Sequence, residues 1–298
     1  MRPLRSNVGK PDLMTIKDAY LHGREHLAAL GSREAAIEAE MLLRFALGID
    51  RAALYTHWEE PLPGAVWTRY RALLDERGAG RPVHYVVGER EFMGLRFAVD
   101  ERVMIPRPET ELLVEFAASR LRDRGAPVLA DVGTGSGCVA VSLARLLPAA
   151  RVLATDLSAG ALEVAAANAA RHGVAARVAV LQGDLLGALP ETERGRLDAV
   201  LSNPPYVPAA LARDLPREIR EFEPLAAIVA PDEGTGFHRR LAADSPEWLA
   251  PGGVLALEVG AGQADVVAAM LAAGPYGLRG IERDGAGIGR VVWGIVEK

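Results

Sequence analysis

The residues best suited to chemistry are Asn203, Pro204, Pro205 and Tyr206, which follow an apolar, strand-like run at 197–201. Proline has no backbone N–H and restricts the residue before it, so two consecutive prolines end a strand with a stiff exit. That exit would hold the Asn203 carboxamide and the Pro204 carbonyl as two acceptors, with the Tyr206 ring as a flat wall beside them. Such a pocket suits a planar NH2 group whose nitrogen faces an electrophile. The alternative is a plain Asn-Pro turn, which the preceding strand and an upstream glycine-rich loop disfavour.

That glycine-rich loop reads Asp131-Val132-Gly133-Thr134-Gly135-Ser136-Gly137, and it lies between a predicted strand at 128–132 and a predicted helix at 138–147. A loop at this point of an α/β sheet is where a nucleotide binds. Glycines let the backbone approach a ligand, because no Cβ stands in the way. The spacing is G-x-G-x-G, whereas the dinucleotide fingerprint is G-x-G-x-x-G with a helix N-terminus aimed at a pyrophosphate. The loop therefore favours a nucleoside ligand without a pyrophosphate.

Two acids end the next two predicted strands. Asp156 is placed to accept both hydroxyl groups of a ribose, a spacing that fits NAD and S-adenosylmethionine equally. Asp184 could accept from an adenine amino group, although a solvated turn acid is an equal interpretation of this fragment. A nucleoside pocket without the pyrophosphate fingerprint, next to a pocket for an NH2 group, needs an electrophile attached to adenosine. S-adenosylmethionine is such a molecule, so it is the predicted cofactor.

These motifs lie in a stretch where strand and helix patterns alternate, which is typical of a parallel sheet with helices on both faces. Strands are predicted at 128–132, 152–155, 177–181, 197–201 and 253–259, followed by a closing antiparallel pair formed by Ile281 and 290–296. Helices are predicted at 138–147, 158–171, 237–249 and 263–271, and a charged insertion occupies 208–223. The predicted fold class is α/β.

The chain before this sheet has a different pattern. Apolar residues recur at helical spacing at 15–30, at 32–48 with Ser32 as the cap, and at 63–77, which predicts a helical domain over 14–80. The strand-like pattern at 83–99 predicts a β-hairpin connector over 81–103, and residues 104–298 form the sheet domain. Residues 1–13 are a predicted disordered start. Within 104–111, Thr110 or Glu109 is predicted near a helix cap.

One further motif in the helical domain formally fits a metal site. His22, Glu25 and His26 match the inverted zinc motif H-x-x-E-H. Gly23 weakens a helix there and no further ligand can be identified, so a solvated helix face is the preferred interpretation and no metal is expected.

Composition excludes several classes of protein. The 298 residues are 50% hydrophobic and 24% charged, with a net charge of −5, which argues against a protein that binds bulk nucleic acid. Cys138 is the only cysteine, so no intrachain disulfide is possible and a reducing compartment is expected. The sequence contains no apolar run long enough to span a membrane. We expect a cytoplasmic protein with no membrane partner.

The chain resembles the class I S-adenosylmethionine methyltransferases, which have a Rossmann-like seven-stranded sheet. Within them it is similar to the HemK/PrmC protein-(glutamine-N5) methyltransferases that modify peptide chain release factors. The resemblance rests on the N-terminal helical domain and on MIPRPETE (104–111), DVGTGSG (131–137), TDLSAGAL (155–162), Ala167-Asn168, GDL (183–185), SNPPYV (202–207) and LALEVGAGQ (255–263). Because DNA and RNA adenine-N6 methyltransferases share Asn-Pro-Pro-Tyr, the release-factor assignment depends on MIPRPETE and the helical domain.

The resemblance implies a role for each matched position. The cofactor would be held by Gly133, Thr134, Gly135, Ser136, Gly137, Asp156, Asp184, Leu185 and Asn203. Asn203 to Tyr206 would receive the side-chain amide of the glutamine in a Gly-Gly-Gln loop, with Arg107 and Glu109 as candidates for substrate or loop contacts. The helical domain would dock the protein substrate, and no metal or covalent intermediate would take part.

The chain departs from the family pattern at two places. Leu185 stands where the family often has an aromatic residue, and Ala230-Pro231 precedes Asp232-Glu233-Gly234 where a glycine-rich run is usual.

Two alternative functions remain at this point. An adenine-N6 methyltransferase acting on DNA or RNA would use the same NH2 pocket, but it would need a basic groove that the acidic net charge does not indicate. A non-catalytic cofactor-binding module of the translation machinery would need no pocket for an acceptor, whereas this chain carries both motifs.

Overall fold

The structure is a computed structural model that describes residues 14–297, and they form two compact units, 14–87 and 88–297. The first unit is helical. Its helices are α1 (Ile16–Ala29), α2 (Ala35–Leu47), α3 (Arg51–Thr56), α4 (Gly64–Gly78) and α5 (Val83–Val87). The three helices that the sequence predicts here are therefore confirmed.

Local sequence explains where these helices begin, end and pack. Thr15 and Asp18 form a reciprocal capping box at the start of α1. The buried ring of Tyr70 lies against α1 at Gly23, where an added Cβ would come within 1.9 Å of the Tyr70 hydroxyl oxygen. That hydroxyl donates to the carbonyl of Ala39 on α2, so Gly23 serves helix packing. Ser32 is not the cap of α2, because its hydroxyl accepts from the N–H of Glu34, and Glu34 is the N-cap.

The proposed zinc motif lies on α1. The His22 and His26 rings stack 6.3 Å apart, and His22 packs edge-on against Trp67. Among residues 14–297, no group of three His, Cys, Asp or Glu side chains is arranged to hold a metal ion.

The strand prediction for 83–87 is wrong, because these residues form α5. Val83 is buried in the core of the helical unit, and Val86 and Val87 pack against it. Packing against helices thus overrides the β propensity of the valines, which depends strongly on context. The predicted hairpin is present only at 89–98, as β1 (Glu89–Phe92) and β2 (Leu95–Ala98).

The second unit is built around a seven-stranded sheet with the order β10-β11-β9-β6-β3-β4-β5. Its strands are β3 (Val128–Val132), β4 (Arg151–Asp156), β5 (Val178–Gln182), β6 (Leu197–Ser202), β9 (Leu249–Glu258), β10 (Tyr276–Arg283) and β11 (Gly289–Val296), while β7 (Val207–Pro208) and β8 (Val229–Ala230) pair separately. Its helices are α6 (Glu111–Leu121), α7 (Cys138–Leu146), α8 (Ala159–Arg171), α9 (Arg217–Phe222), α10 (Gly236–Trp248) and α11 (Ala264–Ala272).

Both faces of this sheet are buried, which explains the continuous apolar strands in the sequence. Along β6, Ala199 and Leu201 belong to one hydrophobic core, which also contains residues of α6 and α7. Leu197 and Val200 belong to the opposite core, with residues of α10 and α11. Strands β9, β6, β3, β4 and β5 are parallel, and β10 and β11 form the predicted antiparallel end of the sheet. The predicted α/β class is confirmed.

Within residues 14–297, none of the helices combines the length and the apolar character needed to cross a lipid bilayer.

Candidate active site

The carboxyl ends of the parallel strands place the predicted site residues side by side. Val132 of β3 is in register with Thr155 of β4 and with Ser202 of β6. The residues that follow these strands therefore emerge at one edge of the sheet, where open α/β sheets bind ligands. A cavity of about 370 Å³ lies there and is lined by the glycine loop, Asp156, Asp184, Leu185 and Asn203.

The glycine loop needs its glycines for two different reasons. Gly133, Gly135 and Gly137 all have positive φ, at 73°, 55° and 78°, a region that L side chains rarely adopt. At Gly137 an added Cβ would also lie 3.1 Å from the Cα of Ala165 on α8. At Gly133 and Gly135, an added Cβ would meet no atom of the described residues within 4 Å. These two glycines thus expose backbone to the cavity, while Gly137 permits close packing.

The Asp131 side chain holds the glycine loop in place through hydrogen bonds. Its Oδ2 accepts from the Thr134 hydroxyl at 2.6 Å and from the backbone N–H of Ala140 at 3.0 Å, which ties the loop to the first turn of α7. The side chain is buried, and burial raises the pKa of Asp131 to about 6. This carboxyl is a structural support of the loop.

The two acids at the strand ends have different surroundings. Asp156 accepts from the N–H of Gly135 at 2.9 Å through Oδ2 and from the N–H of Ser158 at 2.9 Å through Oδ1. Each carboxylate oxygen keeps further acceptor capacity, as binding a ribose requires. Asp184 instead accepts from both terminal nitrogens of Arg240, at 3.3 and 2.6 Å. Its role with an adenine amino group stays a prediction.

Asn203 is held in a defined orientation. Before it, the Ser202 hydroxyl donates to the Val132 carbonyl at 2.7 Å and locks the end of β6 to β3. The Asn203 Nδ2 then donates to the Thr110 hydroxyl oxygen at 3.0 Å, so Oδ1 remains as an acceptor. Asn203, Pro204 and Pro205 are among the described residues that line the cavity. Tyr206 does not belong to this lining.

Tyr206 is fixed from several sides. Its carbonyl accepts from Gln263 Nε2 at 2.9 Å, and Gly234 packs so closely that an added Cβ would lie 2.2 Å from that carbonyl oxygen. Burial raises the pKa of Tyr206 to about 12. The Asp232-Glu233-Gly234 segment, where the chain departs from the family pattern, therefore supports the exit from β6.

Arg107 and Glu109 also lie outside the described cavity lining. Arg107 forms an ion pair of 2.6 Å with Glu223, whose side chain is only 1% exposed. Glu223 also accepts from the N–H of Ile105, so it joins the charged insertion to the 104–111 segment. Glu109 lies 3.9 Å from Arg290 and is partly exposed. Arg107 thus contacts the charged insertion through Glu223.

Residue spacing alone does not mark several residues that support the site. Asn168 is fully buried, binds both backbone groups of Ala98, and donates to the Ser136 carbonyl at 2.9 Å, so it ties the hairpin to the glycine loop. Its only sequence signal was its place in the family pattern. Phe237 of α10 lines the cavity and supplies an aromatic ring on a different element from Leu185. Leu185 itself adopts a positive φ of 49°, a strained backbone of the kind found at functional sites.

These residues fit an adenosine-type cofactor. The cavity has the size of ligand pockets, which range from roughly 300 to 1,000 Å³. It combines bare loop backbone, a carboxylate with spare acceptor capacity and an aromatic wall. S-adenosylmethionine would be held by the glycine loop, Asp156, Asp184 and Leu185.

Comparison with known proteins identifies the two domains and the family. Residues 18–88 match the family model of the PrmC N-terminal domain, and residues 108–215 match that of the methyltransferase small domain. The solved structures of a methyltransferase from Pyrococcus furiosus and of the N-terminal domain of human METTL16 in complex with SAH are similar in fold. The first has a TM-score of 0.51 at 17% identity and covers 78% of this chain and 98% of that one. The second has a TM-score of 0.52 at 18% identity and covers 75% of this chain and 84% of that one.

Curated relatives are much more similar in sequence. The release factor glutamine methyltransferase of Geobacter sulfurreducens is 41% identical over 285 residues, covering 96% of this chain and 98% of the relative. The protein of the same name from Chlorobaculum tepidum is 46% identical over 240 residues, covering 78% of this chain and 81% of the relative. The chain therefore belongs to the family of release factor glutamine methyltransferases.

Proposed function

We propose that this protein transfers a methyl group from S-adenosylmethionine to the side-chain amide nitrogen, N5, of the glutamine in the Gly-Gly-Gln motif of peptide chain release factors. Its curated relatives are named release factor glutamine methyltransferases, and the matches cover 98% and 81% of their lengths. The observation that carries the proposal is Asn203, which stands at the end of β6 beside the glycine loop with Oδ1 available as an acceptor.

Each part of the site has a proposed task. Gly133 to Gly137, Asp156, Asp184 and Leu185 hold the cofactor together with Asn203. S-adenosylmethionine supplies an electrophilic methyl group when it is bound. Asn203 to Tyr206 bind the substrate amide, and Arg107 and Glu109 belong to the segment beside them. The Arg107–Glu223 pair positions the insertion, and Pro224 and Ala227, which follow Glu223, line the cavity.

The chemical task of Asn203 and Pro204 is to prepare a poor nucleophile. An amide lone pair is delocalised into its carbonyl group. When Asn203 Oδ1 and the Pro204 carbonyl accept the two N–H bonds, they align the nitrogen and help to localise this lone pair, which is mainly a contribution of positioning. The proton can leave after transfer, so the site needs no dedicated base.

The proposed partner is a protein substrate rather than nucleic acid. The net charge of −5 does not favour direct binding to a polyanion. A modifier of translation factors would act in the cytoplasm, which agrees with the single buried cysteine of the chain.

The test is transfer of tritiated methyl groups from S-adenosylmethionine. Purified release factor, its Gly-Gly-Gln→Gly-Gly-Ala variant and duplex DNA are offered in parallel. We expect label on the wild-type release factor and none on the other two. Label on DNA would move the assignment to the adenine-N6 enzymes, and binding of cofactor without transfer to any substrate would indicate a non-catalytic module.

A further inference from the structure

The proposed function depends on which way the Asn203 carboxamide points. A carboxamide has a donor end and an acceptor end of similar shape, so a rotation of 180° exchanges Oδ1 and Nδ2. With Oδ1 toward the substrate, Asn203 accepts an N–H bond of the glutamine amide. With Nδ2 toward the substrate, two NH2 groups would face each other and repel. Some feature of the fold must select the first orientation.

Thr110 alone cannot make this selection. Its hydroxyl oxygen lies 3.0 Å from Asn203 Nδ2, and its side chain is 2% exposed. It directly precedes α6 but makes no capping bond from its side chain. A hydroxyl group both donates and accepts, so Thr110 could equally donate to Oδ1 of a reversed carboxamide. The orientation is decided by where the hydroxyl proton of Thr110 points.

Glu258 is the acceptor toward which that proton can point. Ser202 of β6 is in register with Leu257 of the parallel strand β9, so Asn203, which directly follows β6, is next to Glu258 at the end of β9. The hydroxyl groups of Thr110 and Tyr206 lie near enough to the Glu258 carboxyl to lower its pKa. An ionised carboxylate only accepts. When Thr110 donates to Glu258, its oxygen must accept from Asn203, and Oδ1 of Asn203 is left for the substrate.

Stability does not explain a carboxyl group in this place. Glu258 is 1% exposed, and its Oε2 has no hydrogen-bond partner among the described residues. A buried carboxylate with an unsatisfied oxygen destabilises a fold, and apolar residues of similar volume often stabilise such a site better. Incompletely paired buried acids of this kind are typical of functional sites.

We propose that Glu258 and Thr110 are positioning residues for methyl transfer, which hold the Asn203 carboxamide with its oxygen toward the substrate amide. The hydroxyl group of Thr110 links the two residues: it donates its proton to Glu258 and accepts from Asn203. This inference rests on the proposed function, because only an NH2 substrate requires this orientation.

The arrangement should depend on pH. The pKa of Glu258 is raised to about 7, mainly by burial and also by Glu109, while the hydroxyl groups of Thr110 and Tyr206 and the charge of Arg290 oppose the rise. The other titratable groups facing Glu258 are His238, which hydrogen-bonds its carbonyl oxygen, and Cys138. A protonated Glu258 can donate to Thr110, which frees the Thr110 proton to point at Asn203. The wrong orientation is then favoured, so turnover should rise as the pH increases through about 7.

The experiment measures kcat and KM for methyl transfer to release factor, the Kd of the cofactor and the melting temperature. In Thr110→Val, which keeps the shape but lacks the hydroxyl, we expect kcat to fall by about 10- to 100-fold with little change in either binding constant. Thr110→Ser restores the hydroxyl and should stay within about threefold of the wild-type kcat. Thr110→Ala is a second hydroxyl-free variant in case Thr110→Val folds poorly.

Two further comparisons separate positioning from a structural role. In an Asn203→Ala background, Thr110→Val should lower kcat no further, because it acts through Asn203. Glu258→Gln should lose the rise of kcat around pH 7. Additive effects of Thr110→Val and Asn203→Ala, an equal defect in Thr110→Ser, or an unchanged pH profile in Glu258→Gln would each overturn the inference. If the wild-type protein does not label release factor, the proposed function fails, and this inference with it.

Discussion

At the scale of single residues, the site depends on a few polar groups whose acceptors are left free. Asn203 is such a group, because Thr110 occupies its Nδ2 and leaves its Oδ1 for a ligand. Its neighbour Pro204 cannot donate through its backbone nitrogen, so this short segment presents mainly acceptors. That polarity suits a substrate that brings two N–H bonds.

Replacing Asn203 by alanine should impair methyl transfer far more than cofactor binding. We expect Asn203→Ala to lower the rate of methyl transfer by about 10²-fold or more, the effect of losing one preorganised polar group. Calorimetric titration with S-adenosylmethionine provides the control, since the glycine loop and Asp156 remain. Turnover equal to wild type would contradict the proposed role of Asn203.

Asp131 gives a prediction about stability and pH. Burial raises its pKa from an ordinary value of 3.8 to about 6 in the folded protein. Between these values the folded state keeps a proton that the unfolded state has lost, so the free energy of unfolding decreases as pH rises. The favourable contribution is complete below pH 3.8 and is lost by about pH 6, a change of about 3 kcal/mol.

Asp131→Asn should lack this dependence, because asparagine does not titrate and its Oδ1 can still accept. As the pH rises from 4 to 7, the free energy of unfolding of the variant should increase by about 3 kcal/mol relative to that of the wild type. Urea denaturation of both proteins across this range measures the difference. Parallel stability profiles for the two proteins would show that Asp131 is not the responsible group.

At the scale of elements, the charged insertion is attached to the 104–111 segment by one buried ion pair. Arg107 and Glu223 lie 2.6 Å apart, and the Glu223 side chain is almost fully buried. Losing one partner of a buried pair leaves the other charge uncompensated. The loop that carries Pro224 and Ala227 to the cavity should therefore depend on Arg107.

Arg107→Met should destabilise the protein by about 3 kcal/mol, the usual effect of breaking a buried ion pair. A matched control is Arg217→Met on α9, which removes an exposed ion pair with Glu221 in the same insertion. Exposed pairs of this kind contribute about 0.5 kcal/mol or less. Thermal denaturation compares the two variants, and equal shifts in both would contradict the special role of the buried pair.

Packing between elements also explains where sequence patterns failed. Residues 83–87 have the composition of a strand but form a helix, because their valines meet the core of the helical unit. Thr110 precedes a helix as predicted, yet its hydroxyl serves Asn203 instead of capping. In both cases the deciding contact comes from residues distant in sequence.

At the scale of the whole molecule, the two compact units have separate hydrophobic cores. The cavity is lined entirely by residues of the second unit. We propose that the helical unit docks the protein substrate, as the family resemblance implies. The domain boundaries at 14–80, 81–103 and 104–298 likewise remain a proposal.

A chain that begins at Gly88 tests this division. It should bind S-adenosylmethionine within about threefold of the full-length affinity, because independent domains keep their own sites. Its kcat/KM for intact release factor should fall by at least about tenfold, the effect of losing roughly 1.4 kcal/mol of docking energy. A short Gly-Gly-Gln peptide is the control substrate and should react equally with both chains. An undiminished rate with intact release factor would exclude docking by the helical unit.

The sequence by itself determined the α/β class, the glycine loop, Asp156 and the Asn203-Pro204 pair, because periodicity, glycine and proline act locally along the chain. Only the tertiary structure decided which groups surround them. Thr110, Asn168 and Glu258 reach the site from the turn before α6, from α8 and from β9, and no local pattern records the contacts they make there. The orientation of a side chain such as Asn203 is set by partners distant in sequence, so it emerges only when the strands lie in register.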